Sequence, residues 1–142
     1  MKIIYETDRL IIREWELKDK ENLYEYASDP IVTKYLTFPT YLSMQEAENR
    51  IAYLLDCYKT SIFKQDYAIE LKSEQKVIGA IGIVNYTGNA EGIAEIGYVL
   101  NRLFQGKGYM TEALKGMFKY IKAHDIAKRI TAEHDTENIK SG

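Results

Sequence analysis

Gln105-Gly106-Lys107-Gly108-Tyr109 lies between two segments of opposite character. Before it, Ile93–Leu100 is rich in β-branched and aromatic residues and reads as a strand. After it, Met110, Ala113, Leu114, Met117, Phe118 and Ile121 recur at helical spacing and make one apolar face. The segment Asn101–Gly108 is therefore a strand-to-helix turn with glycine at 106 and 108. Glycine has no Cβ, so backbone N–H groups can crowd around an anion at angles other residues avoid. A helix starting near Tyr109 adds its own free N–H groups and partial positive charge. Lys107 and Arg102 raise the local positive potential further, and the combination suits a pyrophosphate.

Working outward, Tyr67–Leu71 and Val77–Tyr86 have the same strand composition as Ile93–Leu100. The links 73–75 and 87–92 are so short that they join only antiparallel neighbours. Arg9–Arg13 reads as a first strand, and Asp19 as the cap of a helix through Ser28 that Pro30 stops. Ser43-Met44-Gln45-Glu46 has capping-box spacing, with Met44, Ala47, Ile51, Leu54, Leu55 and Tyr58 at helical period behind it, predicting a helix over 44–60. Arg129–His134 is one more strand. The expected fold class is α+β, a mostly antiparallel central sheet with helices on both faces.

Bulk properties narrow the partners. A chain of 142 residues with 46% apolar and 28% charged residues is expected to form a single domain, 1–142. Nineteen basic against 21 acidic residues, with no basic stripe, give no electrostatic support for a nucleic-acid partner. No apolar run is long enough for a membrane helix or a signal peptide, so no membrane partner and a cytoplasmic location are expected. The one cysteine, Cys57, fits a reducing compartment and reads as packing in an apolar helix. Cys57, His124 and His134 show no metal-ligand spacing, so no metal is expected.

Two nucleotide motifs fail at the glycine turn. A Walker A loop requires glycine where Asn101 stands and Ser or Thr where Gly108 stands. A dinucleotide fingerprint requires a third glycine at Thr111 within a parallel βαβ unit, and the strands before this turn are antiparallel.

The blocks Ala94-Glu95-Ile96-Gly97-Tyr98-Val99-Leu100 and Gln105–Leu114 resemble the core of the GNAT acetyltransferase superfamily. With Thr7–Arg13 and Asp135–Ser141, the resemblance is to the branch of RimJ/RimL-type ribosomal-protein N-terminal acetyltransferases. It spans essentially the whole chain. One departure is Leu103, where the superfamily pattern has Arg or Gln; backbone amides then hold most of the pyrophosphate.

The resemblance implies an acetyl-CoA-dependent N-acetyltransferase in which a primary amine attacks the thioester directly. The acceptor is a protein N-terminus or a small-molecule amine. It further implies that backbone groups of Tyr98, Val99 and Leu100 pair with the pantetheine arm. Gln105, Gly106, Lys107, Gly108, Tyr109, Met110 and Thr111 wrap the pyrophosphate, and Asn138 and Ser141 reach the thioester end. Gly97 is the expected bulge that splays the strand. Glu95 is the candidate general base. The adjacent pair His134 and Asp135 points to opposite faces and is not assigned a role. His124 suits a helix C-terminus. Tyr24, Tyr26, Tyr35, Tyr41, Tyr53 and Tyr58 cluster in the half of the fold that lines the acceptor slot, as does Trp15, and packing explains them equally well. The sequence stops just past the block that opens a further helix, so C-terminal strands are expected to be missing, a truncated domain acting as a monomer or a homodimer. The alternative function is a non-catalytic acyl-CoA-binding or interaction module.

Overall fold

The computed structural model describes residues 2–34, 39–60, 66–87, 93–124 and 129–132. Six strands follow one another across a single sheet in chain order: β1 (Ile3–Glu6), β2 (Leu10–Arg13), β3 (Asp66–Leu71), β4 (Lys76–Thr87), β5 (Ile93–Leu100) and β6 (Arg129–Ala132). All neighbours are antiparallel except β5 and β6, which run parallel. That exception follows from the connection: helix α4 (Tyr109–Ala123) lies between them, and only a long crossover returns a chain in the same direction.

The sheet is covered on both faces, which is why its central strands read as nearly continuous apolar runs. On one face Leu10, Ile12, Ile69, Ile81, Ala94 and Ile96 pack against Met110, Ala113, Met117 and Ile121 of α4. On the other, Ala68 and Ala80 pack against α1 (Lys20–Ala27) through Leu23 and Tyr26, and against α3 (Met44–Thr60) through Ala47, Ile51 and Leu54. Trp15, from the loop after β2, completes this second core at 1% exposure.

Several local expectations hold with small shifts. Helix α3 begins at Met44, and Glu46 accepts the Ser43 N–H at 3.3 Å, one arm of the capping box. Others are corrected. Ile3–Glu6 forms an edge strand that the sequence reading passed over, closed onto β2 through the turn at 7–9. Pro30 does not simply stop a helix; it starts the short α2 (Pro30–Thr33), with Asp29 accepting the Ile31 N–H at 3.0 Å. Proline at the first helical position loses no hydrogen bond, so the same residue ends one helix and opens the next.

Asp19 stands at the cap position of α1, but its side chain makes no cap bond. It instead receives both terminal nitrogens of Arg13, at 2.8 and 2.9 Å. Arg13 is buried at 2% exposure, and its Nε donates to Glu70 at 2.8 Å. This charged cluster ties β2, β3 and the start of α1 together.

Gly97 is not the bulge. Ile83 pairs with Ile96 and Asn85 with Glu95, so the extra residue is Val84 on β4, while Gly97 sits in register opposite Gly82. A bulge belongs to a pair of strands, and the twist it adds is felt on both. Near the other end of the same pair, Gly79 allows a close approach. A Cβ there would stand 2.3 Å from the Val99 carbonyl oxygen, so any side chain would force β4 from β5.

Candidate active site

The glycine turn begins where β5 ends. Asn101 is buried at 3% exposure, and its backbone N–H donates to the Ile78 carbonyl at 2.7 Å. Its side chain accepts the Leu103 N–H at 3.0 Å and donates to Glu25 at 2.6 Å. This nails a single 3-10 turn, Arg102–Phe104, to both β4 and α1. Gln105 then donates its side-chain amide to the Leu100 carbonyl at 3.1 Å. That bond uses one of the two N–H groups of the amide and closes the turn.

Gly106 and Gly108 have φ of 79° and 81°, in the left-handed region where a side chain is strained. Nothing lies within 4 Å of the place where a Cβ of Gly106 would stand, so the backbone there faces open space. Gly108 is the cap residue of α4 and has no side chain with which to cap it. The first bond within the helix runs from the Glu112 N–H to the Gly108 carbonyl at 3.1 Å. The amides of Tyr109 and Met110 accordingly have no acceptor inside the helix and point to the turn. The Met110 side chain is core at 1% exposure, so only its backbone can serve a ligand. Two left-handed glycines before an uncapped helix start form an anion cradle of backbone N–H groups, and the residues present fit a pyrophosphate.

The cradle is tethered from behind by residues whose role the sequence reading left unassigned. Arg9 donates Nε to Glu112 at 2.7 Å and a terminal nitrogen to the Lys107 carbonyl at 3.2 Å. Its guanidinium also lies over the Tyr109 ring, 4.5 Å from the centroid. Thr7 donates its hydroxyl to the same Glu112 carboxylate, which also accepts the Arg9 backbone N–H at 3.0 Å. Burial pushes the Glu112 carboxyl up, but the Thr7 and Arg9 bonds outweigh it and hold it below the usual range. A lowered folded value means the tether stabilises above the ordinary carboxylate pKa and is lost as pH falls through that lowered value. Replacing Arg9 by Met should weaken acetyl-CoA binding roughly tenfold by releasing a pre-organised loop. Because this ion pair is partly exposed, the melting temperature should change little. Calorimetry and a thermal melt read the two effects separately.

The charges expected at the turn are distributed unevenly. Lys107 is exposed, its ammonium 5.8 Å from the Phe104 ring centroid. Arg102 is committed to Asp29 at 2.6 Å, so its charge is largely neutralised. Leu103 is 62% exposed.

On β5, pairing with β4 continues to Leu100, whereas pairing with β6 among the described residues ends at Ile96 with Ala132. The stretch Gly97–Leu100 runs past that last partner toward the turn. Tyr98 packs on the α4 side, and burial raises the pKa of its hydroxyl; Val99 packs on the α1/α3 side. Glu95 lies two residues before Gly97 and four before Val99, on the α1/α3 face, and is partly exposed. Asn138, Ser141, His134, Asp135 and Tyr35 lie outside the described residues.

Across the α1/α3 face, the tyrosines separate by role. The Tyr58 hydroxyl accepts the Trp15 backbone N–H at 3.2 Å and donates to the Asp66 backbone carbonyl, joining α3 to the loop after β2 and to β3. Tyr53 is 60% exposed and Tyr26 is 1% exposed. The Asp66 carboxylate is 3.5 Å from Arg50, and burial raises its pKa against the pull of that cation. Among the described residues there is no group of three His, Cys, Asp or Glu placed to hold a metal. No helix there is long and apolar enough to cross a membrane.

The sheet carries an anion cradle at the strand-to-helix turn that follows β5. A family profile for the Acetyltransferase (GNAT) domain matches residues 9–142. The uncharacterized N-acetyltransferase p20 of Bacillus licheniformis is 34% identical over 99% of this chain and 78% of its own length. An acetyltransferase (GNAT family) from Bacillus anthracis is 31% identical with a TM-score of 0.78, over 95% of this chain and 75% of that one. RimL, a ribosomal L7/L12 α-N-protein acetyltransferase in complex with coenzyme A, shares the fold. Its TM-score is 0.77 at 18% identity, over 97% of this chain and 78% of that one. The chain belongs to the GNAT acetyltransferase family, whose members depend on acetyl-CoA, with RimL-type enzymes among its structural neighbours.

Proposed function

We propose that this chain transfers the acetyl group of acetyl-CoA to a primary amine, by direct attack of the amine within a ternary complex. The observation that carries this reading is the cradle formed by left-handed Gly106 and Gly108 ahead of an uncapped α4, placed directly after β5. Backbone amides from Gly106 to Thr111 hold the pyrophosphate, with Gln105 closing the turn behind them. Backbone groups of Tyr98, Val99 and Leu100 take the pantetheine arm as an added strand. The Leu100 carbonyl is already used by Gln105, so Tyr98 and Val99 carry most of that pairing. Asn138 and Ser141 are assigned to the thioester end on the strength of the sequence resemblance alone.

Bound acetyl-CoA supplies an activated acyl group, and the protein's task is to hold the amine beside it and remove a proton. For a lysine side chain with pKa near ~10.4, deprotonation at pH 7 costs about 4.6 kcal/mol; for an α-amine near ~7.8 it costs about 1 kcal/mol. A weak base suffices for the second. Glu95, on the face of β5 that looks toward α1 and α3, is that base, directly or through a water. A backbone N–H of β5 stabilises the developing oxyanion.

Thiol release from acetyl-CoA, measured over a panel of amines and short peptides, tests the activity. Glu95→Gln should lower turnover by roughly 10²-fold while leaving acetyl-CoA affinity within about twofold. Wild-type rates in that variant across pH 6–9 would remove Glu95 from the mechanism. Tight cofactor binding with no turnover on any acceptor would instead make the chain an acyl-CoA-binding module.

A further inference from the structure

Gly106 and Gly108, with only Lys107 between them, hold no conformation of their own, so the shape of the cradle is imposed from its ends. Arg9 grips it from behind, through Glu112 and the Lys107 carbonyl. Its leading end hangs on Asn101, and what holds the Asn101 side chain comes from the opposite face of the sheet.

Helix α1 is stitched to the edge of the sheet where β4 begins and β5 ends. The Asn22 side chain accepts the Val77 N–H at 3.0 Å. Glu25 accepts from Asn101 Nδ2 at 2.6 Å and from Lys76 Nζ at 3.0 Å. Asp29, in the link to α2, accepts from Arg102 Nε at 2.6 Å. Asn22 and Glu25 stand three positions apart and so share one face of α1, while Leu23, Tyr26 and Ala27 turn into the core.

The middle contact differs from its neighbours, because it fixes a side chain that itself fixes the turn. Asn22 acts on β4, and the ion pair of half-exposed Arg102 is weakened by water. Asn101 is buried and uses both ends of its amide: Nδ2 toward Glu25, and the oxygen toward the Leu103 N–H at 3.0 Å. A carboxylate only accepts and a backbone N–H only donates, so the amide sits one way round. A charged acceptor also makes the stronger bond. The Leu103 N–H is thereby held, the 3-10 turn Arg102–Phe104 closes, and Gln105 enters Gly106 at a set angle. Lys76, the second partner of Glu25, lies 5.8 Å from the ring centroid of Phe104, the last residue of that turn.

We propose that Glu25 is a positioning residue for the cofactor, setting the leading end of the pyrophosphate cradle through Asn101. It acts from α1, the helix that also covers the face of β5 carrying Glu95, so one helix supports both halves of the site. This role rests on the acetyl-CoA cradle proposed above and adds the residue that pre-organises it.

Acetyl-CoA and S-acetylpantetheine, which carries the same thioester arm without the pyrophosphate, separate this role from a general loss of order. Calorimetry gives the dissociation constant of the first, and an amide-shift titration that of the second. In Glu25→Ala the acetyl-CoA constant should rise roughly tenfold, as a pre-organised loop is released, while that of S-acetylpantetheine stays within about twofold of wild type. Glu25→Gln keeps a carbonyl oxygen for Asn101 and loses the charge that pairs with Lys76, so it should bind acetyl-CoA within roughly threefold of wild type. Failure of glutamine to rescue would assign the effect to the Lys76 pair and overturn the positioning role. Unchanged acetyl-CoA binding in Glu25→Ala, or an equal loss for both ligands, would overturn it as well. If the wild type itself binds the two ligands equally well, the cradle is not the pyrophosphate seat, and the cofactor assignment fails together with the role of Glu25.

Discussion

Gly106→Glu is expected to abolish acetyl-CoA binding, raising the dissociation constant by at least about 10²-fold in a protein that still folds. Two effects add. At φ of 79° a glutamate backbone is strained, by roughly 1–2 kcal/mol. Its side chain would also fill the open space beside the cradle and set a carboxylate where the pyrophosphate charge belongs. At an effective dielectric near 20, two like charges about 4 Å apart repel by about 4 kcal/mol. Gly106→Ala separates the terms, because it carries the strain and little else. Calorimetry should show a modest loss for alanine and no measurable binding for glutamate. Equal affinity for the wild type and a folded Gly106→Glu would place the cofactor elsewhere.

The second large effect concerns stability. Arg13→Met should destabilise the fold by about 3–5 kcal/mol. Arg13 is buried and shared between Asp19 and Glu70, with its salt-bridge nitrogens at 2.8 Å from each. Methionine fills most of the volume, so the loss is not a cavity effect. It leaves two carboxylates with no cation between them, and each must then be desolvated alone or protonated. Urea denaturation at pH 7 should show the full loss. A loss under about 1 kcal/mol at pH 7 would mean that the cluster is better hydrated than its burial indicates.

The elements that reading alone recovered are those whose signal is local. Helix α3 carries its period within its own sequence, and the strand–turn–helix unit around Gly106 carries both its glycines and its flanking patterns within thirty residues. What eluded the sequence depends on a distant partner. Asp19 has every feature of a helix cap, yet Arg13 claims its carboxylate, and nothing local reveals that competition. Strand β1 is short and half exposed, so its composition gives little period to read, and its place is decided by pairing with β2. Gly97 attracted the bulge because glycine often marks one, but register is set jointly, and the extra residue fell on β4.

The site divides along the same line. The cradle at Gly106–Thr111 is contiguous and was legible. Arg9, Thr7 and Glu112, which hold it from behind, are about a hundred positions apart in the chain, and only their recurrence in blocks of a familiar pattern hinted that they matter.

The central claim, that backbone amides after β5 cradle acetyl-CoA, can be tested directly by titrating the cofactor into the isotopically labelled protein and following its amide resonances. Saturable shifts should concentrate at Gly106, Lys107, Gly108 and Tyr109, with a second group at Tyr98 and Val99. Binding that leaves the Gly106–Tyr109 amides unmoved would contradict it.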